Sequence, residues 1–299
     1  AGRSGLARWL SWNGGFRHPA RALRGADLAA AAAIGDNAAV ERLLELGLAL
    51  DARDAQGCTA LLRACGGGHV ELAAQLLRRG ADPAVAAATG ATCLSAAVSG
   101  KREAIVARLL DAGVDVDQPL PGGSTPLMVA AALGLPEIAR TLLMRGASPH
   151  ALDDQGTGPL HAAAQYSFGA TDGERCRRLL ELLLEAGCAI DARNRQGQTP
   201  LLLLLGARAQ AATPAPQRAL PELAQLLLAR GAEVDAQDER GVSCLHAATM
   251  HGELGACAVL LRAGADRARR DRLGRDAYDV ALMLGYADVA GELRRARAG

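Results

Sequence analysis

Gly241-Val242-Ser243-Cys244-Leu245-His246-Ala247-Ala248 and Gly156-Thr157-Gly158-Pro159-Leu160-His161-Ala162-Ala163 are two readings of one phrase. A third copy opens at Gly123 and runs through Ser124-Thr125-Pro126-Leu127 to Ala130-Ala131. Working outward, the opening glycine recurs at Gly57, Gly90, Gly123, Gly156, Gly197, Gly241 and Gly274, at steps of 33, 33, 33, 41, 44 and 33 residues. A second glycine closes each block at Gly47, Gly80, Gly113, Gly146, Gly187, Gly231 and Gly264 and keeps the same steps. Two landmarks in one register over most of the chain mean a stacked repeat array.

Each letter of the phrase has a physical reading. Thr or Ser before Pro starts a helix, because the hydroxyl accepts from an unpaired amide and Pro at the first helical position sacrifices no bond. Paired alanines let neighbouring helices approach closely. The pairs Leu76-Leu77, Leu109-Leu110, Leu142-Leu143, Leu183-Leu184, Leu227-Leu228 and Leu260-Leu261 form the apolar stripe of a second helix. The glycine three residues on stops that helix in a left-handed conformation. Asp-rich segments such as Asp51-Ala52-Arg53-Asp54 and Asp235-Ala236-Gln237-Asp238 turn the chain into the next block.

The phrase resembles the ankyrin repeat, over residues 26–299. The resemblance implies an all-α solenoid of about eight stacked helix-turn-helix units joined by β-turn or hairpin loops. A step of 33 residues back from Leu61 reaches Leu28, and one forward from Leu245 reaches Tyr278, which extends the series to both ends. The first unit lacks the opening phrase, and the last carries Arg294 where a core Leu is expected; both read as caps with a wettable outer face.

One array over residues 26–299 explains the length of the chain, 299 residues, where an ordinary chain of that size would hold two globular domains. Hydrophobic residues make up 50% but aromatics only 2%, so Ala and Leu build the core. A net charge of +1 provides no global field for nucleic acid. The seven cysteines form no Cys-x-x-Cys pair and read as small buried hydrophobes in a reducing, cytoplasmic setting. No apolar run is long enough to span a bilayer. The Ala, Arg, Leu and Gly usage points to a GC-rich, bacterial coding sequence, and the non-Met start to a piece of a larger protein.

Two blocks are long, by 8 and 11 residues, and the surplus falls near 166–173 and 206–217, where surface loops are expected side by side. Residues 1–25 are basic and aromatic, with Trp9, Trp12 and Phe16 among Arg3, Arg8, Arg17, Arg21 and Arg24. Three readings stand: a strip folded onto the first unit, a contact with an anionic membrane surface, or a linker. The membrane reading would tether the chain to the inner face of a membrane through an upstream segment.

Nothing in the chain reads as catalytic. There is no His-Glu-x-x-His helix, no phosphate-binding glycine loop, and no Ser or Asp paired with His at a defined spacing. No cofactor or metal is expected. His161 and His246 occupy the repeat's own histidine position, where the resemblance implies hydrogen bonding within the turn network. Leu62, Ser95, Met128 and Leu202 take that position elsewhere, so looser turns are expected there, and Gly158 omits a cap.

The function expected is therefore a non-catalytic scaffold, monomeric, that binds another protein on its concave face of turn tips and first helices. The candidate contacts are Gln155, Thr157, Gln165 and Tyr166 in one unit, Arg195, Gln196 and Gln198 in the next, Glu239, Arg240, Met250 and His251 in a third, and Arg272 in the last. Their warrant is variation against a repeating framework, with Arg, Tyr and Met as anchor types. The late arginines Arg267, Arg269, Arg270, Arg272 and Arg275 alternate with Asp266, Asp271, Asp276 and Asp279; they suit a solvated cap or an acidic or phosphate-bearing ligand. The alternatives are a regulatory array within a larger membrane-associated or enzymatic protein, and a secreted bacterial effector.

Overall fold

A computed structural model describes residues 23–212 and 219–295. The basic aromatic strip with Trp9, Trp12 and Phe16 lies outside the described residues, as does the end of the second insertion. The described residues form sixteen helices in eight pairs: α1 (Gly25–Ala33) with α2 (Asn37–Glu45), α3 (Ala60–Gly67) with α4 (Val70–Arg78), α5 (Cys93–Ser99) with α6 (Glu103–Asp111), α7 (Pro126–Ala132) with α8 (Pro136–Met144), α9 (Pro159–Gly169) with α10 (Gly173–Glu185), α11 (Pro200–Leu204) with α12 (Leu220–Ala229), α13 (Cys244–Met250) with α14 (Leu254–Arg262), and α15 (Ala277–Leu284) with α16 (Ala287–Arg295). They gather into two compact units, one reaching residue 126 and including 144–147, the other holding 127–143 and 148 onward. No strand forms among the described residues. The expected hairpins are turns, with one antiparallel bridge between Gln237 and Ser243.

Both ends of the repeat's helices are stopped as their residues dictate. Thr59, Thr92, Thr199 and Ser243 each accept the amide three residues on, at 3.2–3.4 Å. Asp276 does the same for Asp279 at 2.9 Å. These side chains satisfy donors that a helix leaves orphaned. At the other end Gly80 has φ of 87°. Its amide reaches the Leu77 carbonyl, and Ala81 N–H reaches Leu76, a Schellman closure that recurs at Gly113, Gly187, Gly231 and Gly264.

Within the leucine pairs the first member is the core residue: Leu76, Leu109, Leu142, Leu183, Leu227 and Leu260 are fully enclosed. The second members are only half-buried, apart from Leu110. In the last repeat Leu293 holds the core position and Arg294 the outer one, so Arg294 replaces no core leucine.

The first insertion is not a loop. Its extra residues lengthen both helices of the pair, α9 to 11 residues and α10 to 13, against 7 and 9 in the preceding pair. Burial of Phe168 and a hydrogen bond from Ser167 Oγ to the Ala163 carbonyl (2.8 Å) hold the added turn of α9. Asp172 caps the added turn of α10 by accepting from Arg175 N–H at 3.0 Å. In the second insertion α11 is cut to five residues and 205–212 run on as turns. Where both insertions are described they meet: Phe168 packs beside Gly206, and its ring lies 4.8 Å from that of His251.

The turn between the helices of a pair is covered by a bulky side chain from the following repeat. His69 lies over Gly35, Tyr166 over Gly134, His251 over Gly206 and Tyr286 over Gly252. A Cβ at Gly134 would sit 2.1 Å from the Tyr166 ring. Gly134 also has φ of 64°, so both space and backbone require glycine there.

Candidate functional site

The loop tips of the second unit are built on one residue each. Asp153 Oδ1 accepts from the amides of Gln155 and Thr157, both at 2.8 Å. Asn194 does so for Gln196 and Gln198 (3.0 and 2.9 Å), Asp238 for Arg240 and Val242 (2.8 and 3.0 Å), and Asp271 for Leu273 and Arg275 (2.9 Å each). This is the side-chain turn that Asp and Asn favour. In the first unit Asp54 makes the same turn for Gln56 and Cys58 (2.8 and 2.9 Å), while at the next tip Ala87 takes the Asp position and the backbone bond from Gly90 N–H to its carbonyl (2.8 Å) keeps the turn.

Neighbouring tips are bonded to each other through the main chain. Arg195 N–H donates to the Gln155 carbonyl (2.8 Å), Glu239 N–H to Gln196 (2.9 Å), and Arg272 N–H to Arg240 (2.9 Å). A ladder of side chains runs beneath. Arg193 Nη1 donates to the Gly197 carbonyl of its own tip (3.1 Å) and to Gln237 of the next (2.8 Å). Gln237 Nε2 donates to Gly241 (2.7 Å) and onward to Arg270 (3.2 Å), and Arg270 donates to Gly274. Sequence reading missed this ladder. Its signal was a long polar donor directly before the turn Asp or Asn in three consecutive copies.

The tips thus bring Gln155, Arg195, Gln196, Glu239, Arg240 and Arg272 into one row, all exposed. Thr157, Gln165, Tyr166 and Met250 are further placed as follows: Gln165 is exposed and the other three are half-buried, Tyr166 against Gly134. Two predicted contacts lie inside. Gln198 is buried, with its Oε1 accepting from Asn194 Nδ2 at 3.1 Å. His251 is buried, and its Nε2 meets the Gly206 carbonyl at 3.0 Å. For Gln198 the reason is the turn around Asn194, and for His251 it is segment 205–212, which reaches that end of α13: Ala212 N–H donates to the Met250 carbonyl at 2.8 Å. Arg240 is tied to the same segment. Its Nε donates to the buried Asp238 (2.9 Å) and its Nη2 to the Ala207 carbonyl (2.8 Å), while Arg208 Nη1 reaches Gln165 (3.2 Å). Arg208, in an Ala-rich stretch, carried no sequence signal.

The histidines of the repeat position work as buried brackets between one turn and the next. His161 Nδ1 accepts from Gly158 N–H (3.2 Å), which leaves Nε2 as the donor to the carbonyls of Ala192 (2.9 Å) and Gln198 (3.1 Å). Burial lowers its pKa, against a smaller upward pull from those carbonyls. His246 likewise bridges to the Arg275 carbonyl at 2.9 Å, with Ser243 Oγ 2.7 Å from its Nδ1. Gly158 offers no hydroxyl to His161, and a crevice of about 120 Å³ opens there, lined by Pro149, Leu152, Leu160 and Cys188 among others. Where Ser95 replaces histidine, its Oγ accepts from Thr92 N–H at 2.9 Å, so that turn is not looser.

Electrostatics at the tips favour fixed charge. Burial pushes the Asp271 carboxyl up, but the Arg275 guanidinium and the Arg275 and Leu273 amides outweigh it and hold it below the usual range. Asp54 is held down in the same way by Arg63 and the amides of Cys58 and Gln56. All seven cysteines are buried free thiols, and burial drives Cys188 up to about 11. No helix among the described residues is long and apolar enough to cross a membrane, and no cluster of three metal-ligating side chains occurs among them.

Comparison with known proteins agrees with this architecture. A family profile described as Ankyrin repeats (3 copies) matches residues 27–120, 80–153, 127–208 and 209–297. B-cell lymphoma 3 protein homolog of Mus musculus is 30% identical over 196 residues, 55% of this chain and 41% of that protein. Cyclin-dependent kinase inhibitor 2A of Homo sapiens is 36% identical over 118 residues, 39% of this chain and 68% of the inhibitor. A homolog of transient receptor potential cation channel subfamily A member 1 from Caenorhabditis elegans is 27% identical over 151 residues, 50% of this chain and 10% of the channel. The match thus spans under half of the lymphoma-protein homolog and a tenth of the channel. With its repeat register matched from end to end, the chain belongs to the ankyrin-repeat family.

Proposed function

We propose that this chain is a non-catalytic interaction module that captures another protein along the loop tips of its second unit. The observation that carries the reading is the main-chain bonding between tips, which lines up Gln155, Arg195, Gln196, Glu239, Arg240 and Arg272 before any partner arrives. Such pre-organisation lowers the ordering cost of association. The similarity to a cyclin-dependent kinase inhibitor supports action by binding. The insertion over α13 narrows the expected surface to the tips, with Gln165 at its flank. The seven enclosed thiols support a reducing, cytoplasmic setting.

The test is affinity capture on the full chain, compared with an Arg195→Glu/Arg272→Glu variant and with wild type after cross-linking. A protein captured by wild type, cross-linked to the tips and lost from the variant is the expected result. Equal capture by both, with cross-links elsewhere, removes the reading.

A second reading has its own observation. The match covers only 10% of the Caenorhabditis channel and 41% of the lymphoma-protein homolog, so arrays like this one occur inside longer proteins. On that reading the array regulates an attached membrane-associated or enzymatic domain. The full-length gene product decides between them.

A further inference from the structure

We infer that the partner segment is acidic and extended, and that it lies along the tips with a carboxylate at about every third residue. The inference rests on the docking surface proposed above and adds its chemistry.

Three exposed arginines, Arg195, Arg208 and Arg272, form no ion pair among the described residues. The bonding between tips sets them beside a fourth. Arg240 accepts Arg272 N–H on its carbonyl, and its guanidinium touches the Ala207 carbonyl next to Arg208. Arg240 is already held by Asp238, whose side chain is 1% exposed, yet 57% of the Arg240 side chain remains open. Its Nε and Nη2 are engaged in that hold, and Nη1 makes no hydrogen bond among the described residues. A guanidinium fixed in this way offers charge-assisted donors without a further cost of ordering. By contrast, the nearby Arg193, Arg270 and Arg275 give their donors to backbone carbonyls or to Glu233, Asp279 and Asp271. The row and its flank thus hold three arginines without a carboxylate partner among the described residues; exposed Arg78, Arg230 and Arg262 also lack one there but stand at the ends of α4, α12 and α14.

The spacing sets the form of the ligand. Packed repeats stand roughly 8–10 Å apart. An extended chain rises about 3.3 Å per residue, so three residues span one repeat. Exposed Glu239, between Arg195 and Arg240, and exposed Asp154, beside Gln155, interrupt the row and oppose an acidic ligand at those two points.

The test uses a labelled (Glu-Gly-Ser)4 peptide titrated against the full chain by fluorescence anisotropy. Binding should saturate and should weaken between 50 and 200 mM salt, as exposed charges are screened. An Arg195→Ala/Arg208→Ala/Arg272→Ala variant should bind at least tenfold more weakly. A control of equal net charge, Arg78→Ala/Arg230→Ala/Arg262→Ala, should bind as wild type does. Glu239→Gln should tighten binding two- to threefold, an opposite shift that loss of folding would not produce. No saturation by the peptide, equal loss in both triple variants, or equal binding by (Lys-Gly-Ser)4 overturns the proposal. Tighter, arginine-dependent binding of a 12-nucleotide single strand overturns it as well. If the peptide fails while affinity capture still depends on the tips, the interaction reading stands and only the acidic chemistry falls.

Discussion

Gly158 shows how one side chain sets the character of its repeat. Its counterparts Thr59, Thr92, Thr199, Ser243 and Asp276 cap the first helix, and Ser243 also meets the histidine bracket. Gly158 does neither and leaves the crevice beside His161. Gly158→Thr should raise stability by a few tenths of a kcal/mol, roughly the difference between a hydroxyl cap and glycine. The new Cβ meets the Ala151 carbonyl and exposed Leu152 at 3.3 Å, and Leu152 has room to yield. A shift of the urea midpoint at constant slope is the measurement. His161 carries a pH dependence. Its folded-state pKa is lowered, so below its ordinary value of 6.5 the unfolded chain binds a proton that the folded chain resists. Its contribution is complete above that pH and is lost as pH falls below it. The urea midpoint should drop between pH 7.5 and 5.5. His161→Leu should start lower, by about 1 kcal/mol for each lost bracket bond, and show a flatter profile over the same interval.

At the scale of the element, two ladders join one repeat to the next. On the side of the helix-to-helix turns, Tyr166 over Gly134 leaves no volume for a methyl group. Gly134→Ala should cost roughly 1–3 kcal/mol in backbone strain, with an overpacking cost added. Gly80→Ala adds a Cβ with nothing within 4 Å and should show only the strain. Tyr166→Ala should relieve part of the Gly134→Ala defect and none of the Gly80→Ala defect, which a double-mutant cycle reads directly. On the side of the tips, Gln237→Ala removes two donations to backbone carbonyls and should cost about 1 kcal/mol for each. Hydrogen exchange should quicken first at the amides of Glu239 and Arg272.

At the scale of the whole molecule, each repeat depends on its neighbours, and the second insertion has become part of that dependence. Deleting residues 207–212 should leave a cooperatively folding protein, because no core leucine is lost. It should nevertheless lower the melting temperature, since the Arg240 bond to Ala207 and the Ala212 bond to Met250 go with it. The same deletion should expose Met250 to oxidation. Repeat register, helix starts and stops, the enclosed leucines and the histidine brackets were all readable from residue order. They are local properties: a cap, a left-handed glycine or an apolar period acts within a few residues of itself. So was most of the tip row, because turn chemistry at Asp153, Asn194, Asp238 and Asp271 is local as well. What residue order left open is whatever depends on residues that meet across repeats. Only the folded chain extends α9 and α10 in place of a loop, buries Gln198 and His251, lays Tyr166 on Gly134, and brings Arg240 to the Ala207 carbonyl. Those outcomes turn on which surface reaches which volume first, and a sequence written in one dimension does not contain that competition.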